Sequence, residues 1–245
     1  MDGHDAFLNP LRSPQTLDTF WPRRAILNAL TEQLGSFHGT ILDIGCGKMP
    51  YKRILLDRGN NVEKYIGMDL RQDLRNKRYA EAGLPDLEWD GNTIPLERDS
   101  VDCAMATEFF EQCPDSEKVM REALRVLKPG GIIFFTVPFL WPVHDPPLDQ
   151  YRFTPFALAR LLGNAGFEQI QMRALGGWDA SLAQMIGLWV RRRPMSEWKR
   201  RLLSSLATPI VGYLQNRDKP QPAFADQAMF TGLSGIATKP TAKSF

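Results

Sequence analysis

Thr40-Ile41-Leu42-Asp43-Ile44-Gly45-Cys46-Gly47 decides how this 245-residue chain folds. A short apolar run that stops abruptly at two glycines reads as a buried strand entering a tight turn. Glycine lets the backbone take φ > 0 there at little steric cost. Upstream, Ile26, Leu27, Leu30 and Leu34 recur at helical spacing within Trp21–Leu34, and residues 1–20, with Pro10 and Pro14, read as an irregular arm. Downstream, a helix is expected near Tyr51–Arg58 and a second strand over Lys64–Asp69. Leu87–Asp90 is a weak third strand and Val101–Ala106 a clearly apolar fourth. Ser116–Leu127 has the pattern of an amphipathic helix, stopped by Lys128-Pro129-Gly130-Gly131.

Ile132–Val137, the fifth strand, is apolar almost throughout. That is the signature of a strand buried on both faces, as in a parallel sheet with helices on each side. A helix over Thr154–Ala165 follows, with Gly166 placed to cap it, then strands over Phe167–Leu175 and Phe230–Lys239. Alternating strands and helices predict a doubly wound, Rossmann-like α/β fold. The expected segments are 1–39 (arm and helix), 40–177 (core), 178–229 (helical insertion or cap) and 230–245 (last core strand and tail). The insertion is expected to hold helices near Ala180–Val190 and Ser196–Leu214, and 216–228, with Pro220 and Pro222, to be a loop.

Hydrophobic residues make up 43% and charged residues 24% of the chain, which excludes disordered and fibrous classes. Thirty basic residues stand against 28 acidic ones, so net charge offers no argument for nucleic acid, and none is expected as a partner. Cys46, Cys103 and Cys113 form no C-x-x-C pair, which argues against a disulfide framework or a zinc site and for a reducing compartment. The first residues lack a basic start followed by an apolar stretch, and no apolar run approaches a membrane span. The expected location is the cytoplasm.

The glycine turn also predicts a ligand. Its backbone can approach a bound group closely, and Asp69, at the end of the second strand, is placed to accept hydrogen bonds from ribose hydroxyls. A nucleoside-bearing ligand at the C-terminal ends of the strands is therefore expected. Pro50 stands where a dinucleotide loop would have its third glycine. Asp43, two residues before Gly45, would repel a pyrophosphate and favour an ammonium.

Ile41–Lys48 resembles the first motif of class I S-adenosylmethionine-dependent methyltransferases. Trp89-Asp90-Gly91 through Asp102 resembles the family's adenine-side segment, Thr107–Glu111 its loop after the fourth strand, and Leu124–Gly131 its helix and turn before the fifth. The resemblance covers residues 40–175, and Gly232–Pro240 is similar to the family's closing antiparallel strand. It implies that Asp43, Gly45, Cys46 and Gly47 line the methionine part of S-adenosylmethionine. Asp69, with Leu70 beside it, would take the ribose, and Asp90 and Gly91 the adenine. Thr107 and Glu108 would lie by the cofactor and the substrate mouth. Read from the residues alone, Asp90 also suits a turn and Glu108 a solvated loop. Cys46, with no visible partner, suits packing better than nucleophilic chemistry.

The stretch after the fifth strand, Pro138–Pro155, mixes prolines with Trp141, His144, Asp145, Asp149, Tyr151 and Arg152. It leaves the end of a buried strand toward the ligand crevice. His144 is the candidate general base, since imidazole titrates near neutrality. Trp141, Asp145, Tyr151 and Arg152 are candidate substrate contacts, with an Arg152–Asp149 pair as the structural alternative. The stretches Gly45–Tyr51 and Pro142–Pro155 together resemble a bacterial subgroup linked to glycan and cell-envelope biosynthesis, which implies O-methylation of a sugar or other small-molecule hydroxyl. Two other classes remain open: a cofactor-binding module without catalysis that serves a partner, and a nicotinamide-dependent oxidoreductase. Residues 182–214 carry Trp189, Trp198, Leu202, Leu203 and Leu206 beside Arg191-Arg192-Arg193 and Lys199-Arg200-Arg201. They suit a cap over the cleft, a homodimer face or a peripheral membrane contact.

Overall fold

A computed structural model describes residues 5–57, 61–70, 84–219 and 223–241. Seven strands form one sheet in the order β3-β2-β1-β4-β5-β7-β6. They are β1 (His38–Ile44), β2 (Asn61–Leu70), β3 (Leu87–Trp89), β4 (Val101–Thr107), β5 (Leu127–Pro138), β6 (Glu168–Leu175) and β7 (Gly232–Thr238). Neighbours among β3, β2, β1, β4 and β5 pair in parallel. The helices of the described residues are α1 (Asp5–Leu8), α2 (Phe20–Glu32), α3 (Lys52–Asp57), α4 (Ser116–Val126), α5 (Pro155–Ala165), α6 (Trp178–Arg192) and α7 (Glu197–Arg217). The fold is the expected Rossmann-like one, with a single strand, β7, running against the rest.

Several ends differ from the sequence reading, each for a local reason. The arm contains a short helix, α1. Strand β5 begins at Leu127, the last residue of the expected helix, and runs through what reads as the stop signal after α4. Gly130 has φ 80, its amide donates to the Lys239 carbonyl (3.0 Å), and the Lys239 amide donates to the Gly131 carbonyl (2.8 Å). That is the bonding of a glycine bulge in an antiparallel pair, so the glycines let β5 continue rather than end it. The helix expected at Tyr51–Arg58 is observed as Lys52–Asp57, and Arg58 lies outside the described residues. α7 continues to Arg217, into the expected loop 216–228, while Pro220 and Pro222 lie outside the described residues.

The chain falls into two compact units. One comprises 30–137, 143–172 and 234–245. Its core is the sheet centre: Ile41, Leu42 and Ile44 of β1, Cys103–Ala106 of β4 and Ile133–Phe135 of β5 are almost wholly buried. Helix α4 buries Val119, Met120, Ala123 and Val126, one face at helical spacing. Asp115 caps it by accepting from the Lys118 amide (3.0 Å). Thr154 caps α5 in the same way through the Ala157 amide (3.2 Å), with Pro155 in the first turn, and Gly166 ends that helix at φ 104.

The other unit comprises 1–29, 138–142 and 173–233. Helices α6 and α7 pack together over Leu17, Ala183, Val190, Ala207 and Val211. Gly187 lets α6 lie against the chain: a Cβ there would sit 2.3 Å from the Leu17 carbonyl oxygen. Asp218, just past α7, accepts from the amides of Gly177 (2.9 Å) and Ala180 (2.8 Å) and so caps α6 with a carboxylate.

Candidate active site

Strand β1 ends at Ile44 and the chain turns at once. The amides of Gly45 and Cys46 both donate to the Met68 carbonyl of β2, at 2.9 and 3.0 Å, which ties the turn to the neighbouring strand. Gly45 has φ 71, and a Cβ on it would lie 2.1 Å from the Phe109 ring, so packing and conformation both demand glycine. Gly47 has φ 50 and differs: nothing lies within 4 Å of where its Cβ would be. Its amide donates to Asp69 Oδ2 (2.9 Å), and Asp69 Oδ1 accepts from the Leu70 amide (2.7 Å). The loop thus sets a buried carboxylate beside open space. The described helix starts only at Lys52, so the loop's own amides, rather than a helix end, adjoin Asp69.

Asp43 is buried, and Tyr65 donates its hydroxyl to Oδ2. Oδ1 is buried without a hydrogen-bond partner. Burial pushes the carboxyl up to about 7; the Tyr65 bond opposes this and the Asp69 charge adds to it. A buried acid with one oxygen unsatisfied is a costly arrangement that a bound cation would relieve. Tyr65 was not singled out in the sequence. The signal was a tyrosine inside an apolar strand, whose hydroxyl needs a partner once buried.

Cys46 donates to the Gly47 carbonyl (3.6 Å), and burial, then the charges of Asp43, Asp69 and Asp86, push its thiol far up, so packing is its role. Leu70 and Gly91 meet at the ends of β2 and β3: a Cβ on Gly91, at φ 85, would lie 3.4 Å from the Leu70 side chain. Asp90 is exposed, and its Oδ1 accepts from the amides of Asn92 (2.8 Å) and Thr93 (3.2 Å). These bonds lower its pKa and make a turn that ends the strand. Behind it, Arg125 donates to the carbonyls of Ile94 (2.8 Å) and Leu96 (2.9 Å), and Glu122 accepts from the Ile94 amide (2.9 Å). Helix α4 thereby holds the segment after Asp90.

A second group of polar residues gathers after β4 and β5. Thr107 of β4 pairs in register with Thr136 of β5. Glu108 follows at φ 50, in the left-handed region that costs a non-glycine residue energy. Thr136 fixes it there: its hydroxyl donates to Glu108 Oε1 (2.9 Å), and the Glu108 amide donates to the Thr136 carbonyl (3.0 Å). Desolvation raises the Glu108 carboxyl to about 7, against the Thr136 bond and the Arg152 charge. Glu111 is 0% exposed, and neither of its carboxylate oxygens has a hydrogen-bond partner. Burial first, then the Glu108 charge, raises it well above the ordinary range.

Glu111 also anchors the facing loop. Its carbonyl accepts from the amides of Gln150 (2.9 Å) and Tyr151 (3.0 Å), and the Tyr151 hydroxyl donates to the Pro114 carbonyl (2.8 Å). Arg152 grips Asp149 with both terminal nitrogens, at 2.6 and 2.8 Å, and holds that carboxyl down at about 2. Asp149 Oδ2 accepts from the His144 amide (3.1 Å) and lies 3.3 Å from His144 Nδ1. Asp145, at φ 47, turns the loop, its carbonyl accepting from the Leu148 amide (2.9 Å).

The expected base His144 and the expected substrate contacts Tyr151 and Arg152 thus share one network with Glu108 and Glu111 through Asp149, the Glu111 carbonyl and the Arg152 charge. Trp141 belongs to the other unit, where the Arg192 guanidinium lies 5.5 Å over its ring. The sequence reading did not pick Glu111 or Thr136. Glu111 was legible only as a lone acid after Phe109-Phe110, and Thr136 as the one polar residue in an apolar strand. Among the described residues no group of three or more His, Cys, Asp or Glu side chains could hold a metal ion.

A nucleoside bearing an ammonium fits the first group of residues: open space at Gly47, a ribose-type acid at Asp69, and an unsatisfied acid at Asp43. Residues 42–135 match the family model described as a methyltransferase domain. Over residues 42–135, fold, loop and match agree with a methyltransferase domain that uses S-adenosylmethionine. The chain is similar to a malonyl-[acyl-carrier protein] O-methyltransferase of Salmonella typhimurium, 30% identical over 114 residues, 46% of this chain and 43% of that protein. It is also similar to a sterol 4-C-methyltransferase of Caenorhabditis elegans, 33% identical over 97 residues, 37% of this chain and 28% of that one. The chain therefore spans less than half the length of either. In fold it is similar to a Haloferax volcanii putative methyltransferase solved with the Trm112 activator, at TM-score 0.57 and 20% identity, covering 98% of this chain and 99% of that one.

Proposed function

We propose that this chain transfers a methyl group from S-adenosylmethionine to a hydroxyl of a sugar, glycan or other small molecule. The observation that carries the reading is the space at Gly47, whose amide bonds Asp69, together with the half-satisfied Asp43 at the end of the strand that leads into it. Asp43 would take the ammonium, Asp69 the ribose hydroxyls, and Gly91 with Leu70 the adenine side, Asp90 ordering the turn there. When bound, the cofactor supplies a methyl group already activated on a sulfonium, so the protein's task is alignment and proton removal.

The network after β4 and β5 suits that task. His144, held by its backbone amide on Asp149 and with Nδ1 3.3 Å from that carboxylate, would take the acceptor's proton. Glu108 and Thr107 would line the mouth, with Asp145, Tyr151 and Arg152 around the acceptor. Oxygen and carbon are both methylated by the two relatives named above, so the acceptor atom rests on His144 and on the glycan-subgroup resemblance. One observation favours a second reading, an amine acceptor: Glu108 and Glu111 are two acids, while Arg152 is committed to Asp149, and a cationic group would offset that excess.

Titration with S-adenosylhomocysteine in a calorimeter tests the cofactor step. Micromolar binding that weakens in Asp69→Ala supports it. No binding reopens the binding-module and oxidoreductase readings. Turnover to S-adenosylhomocysteine on a panel of sugars, other alcohols and amines then tests the acceptor, with His144→Ala expected to lose about a hundredfold in kcat on a hydroxyl.

A further inference from the structure

Helices α6 and α7 leave large apolar side chains in solvent. On α6 these are Trp178, Leu182, Met185 and Trp189, each at least 47% exposed. At about 100° per residue they fall within an arc of roughly 60°. On α7 they are Trp198, Leu202, Leu206, Ile210 and Tyr213, each at least 52% exposed, within an arc of roughly 120° by the same spacing. The buried residues Ala183 and Val190 of α6, and Ala207 and Val211 of α7, lie on other faces and make the core of this unit. Each helix is therefore apolar on two sides, one facing the core and one facing water. Monomeric soluble proteins rarely leave so many large side chains together in water without a use for them.

The exposed faces are also cationic. Residues 178–217 hold seven basic residues and two acids, Asp179 and Glu197. Arg192 pairs with Asp18, Arg200 with Glu197 and Arg217 with Asp179, and Arg191, Arg193, Lys199 and Arg201 are the cations outside ion pairs among the described residues. Three of the seven sit on exposed aromatic rings: Arg193 lies 4.1 Å over Trp189, Lys199 5.5 Å over Trp198 and Arg217 5.4 Å over Tyr213. Tryptophan and tyrosine capped by a cation suit a boundary between apolar and charged phases. A second copy of the same surface would oppose cation to cation, whereas anionic headgroups complement the charge and acyl chains complement the apolar stripe.

We propose that the exposed faces of α6 and α7 dock this protein peripherally on an anionic lipid bilayer, Trp189 and Trp198 entering the interface and Arg193 and Lys199 pairing with headgroups. No described helix is long and apolar enough to cross a membrane, in keeping with surface attachment.

The full chain is to be floated with vesicles of equal parts phosphatidylglycerol and phosphatidylcholine, and with phosphatidylcholine alone, at roughly 0.1 M salt, where screening is moderate. Flotation with the anionic vesicles only, with a blue shift of tryptophan emission, is the expected result. Trp189→Ser/Trp198→Ser is expected to weaken it at least about tenfold, and so is Arg193→Gln/Lys199→Gln. All four side chains are exposed or past the helix end, and circular dichroism with S-adenosylhomocysteine titration checks that each variant folds. Equal flotation with neutral vesicles overturns the charge argument. Absence of flotation overturns the proposal, as does a concentration-dependent dimer that the tryptophan variant abolishes.

Discussion

The two polar regions of the candidate site are built in opposite ways. At the glycine loop, Gly45, Cys46, Gly47 and Leu70 satisfy their amides on Met68 and Asp69, within one pair of parallel strands. Its one unmet demand is a single oxygen of Asp43. After β4 and β5, by contrast, Glu108, Glu111, His144, Asp149 and Arg152 come from two separate loops, and Glu111 is buried with both oxygens unsatisfied. The first region is a nearly complete cradle with one vacancy of defined charge. The second holds more buried acid than its hydrogen bonds satisfy, and its parts are joined across loops rather than within one pair of strands. A common cofactor calls for the first kind of construction, and an acceptor that differs among related enzymes for the second.

Breaking Asp149 tests the second region most severely. Asp149→Ala removes the bidentate bond to Arg152 and the bond from the His144 amide, and is expected to cost about 2–3 kcal/mol of stability in urea titration. S-adenosylhomocysteine affinity should change by no more than about twofold, since sites without shared partners behave independently. An equal loss of cofactor affinity would mean the two regions are one. The converse test is Gly47→Ala. Among the described residues nothing meets the added methyl, so the fold should lose only about 1 kcal/mol to backbone strain, while S-adenosylhomocysteine binding should weaken at least about thirtyfold. Unchanged binding would remove the cofactor from that space.

The pH dependence sharpens the comparison. Asp43 rises from 3.8 to about 7 on folding, so across that window the folded state holds a proton that the unfolded state has released. Stability from this group therefore falls as pH rises from about 4 to about 7. A bound ammonium favours the ionised form, so S-adenosylhomocysteine affinity should rise with pH, by about tenfold per unit below 7, and level off above it. Calorimetry across pH, repeated on Asp43→Asn, should find the slope abolished in the variant. The smallest effect is expected at Asp90. Asn keeps the Oδ1 acceptor of the turn, so Asp90→Asn should shift thermal stability by less than about 0.5 kcal/mol and cofactor affinity only a few-fold.

How far each region was legible in the sequence follows from the same contrast. The glycine loop is encoded in consecutive residues, and its acid lies at the end of the next strand, so Asp43, Gly45, Gly47 and Asp69 could be read directly. The order of strands followed from alternating apolar runs. The bulge at Gly130 was hidden because Lys-Pro-Gly-Gly serves equally to end a helix and to bend a strand; only the partner, Lys239, decides between them. Glu111 was hidden because nothing in Phe109-Phe110-Glu111 tells that an acid is taken into the interior with the two rings. The Arg152–Asp149 pair was foreseen as an alternative, but the hold of Asp149 on His144 depends on how the proline-rich loop folds back.

The place of β7 has a consequence for how the protein is made. The last strand in sequence lies between β5 and β6, so those two strands acquire their shared neighbour only after nearly all of the described chain has been synthesised. Until then β5 presents an open edge of backbone donors and acceptors beside one of the most apolar stretches of the molecule, Ile132–Val137. Such an edge invites pairing with another chain. The arrival of Gly232–Thr238 covers that edge and joins β6 to the rest of the sheet.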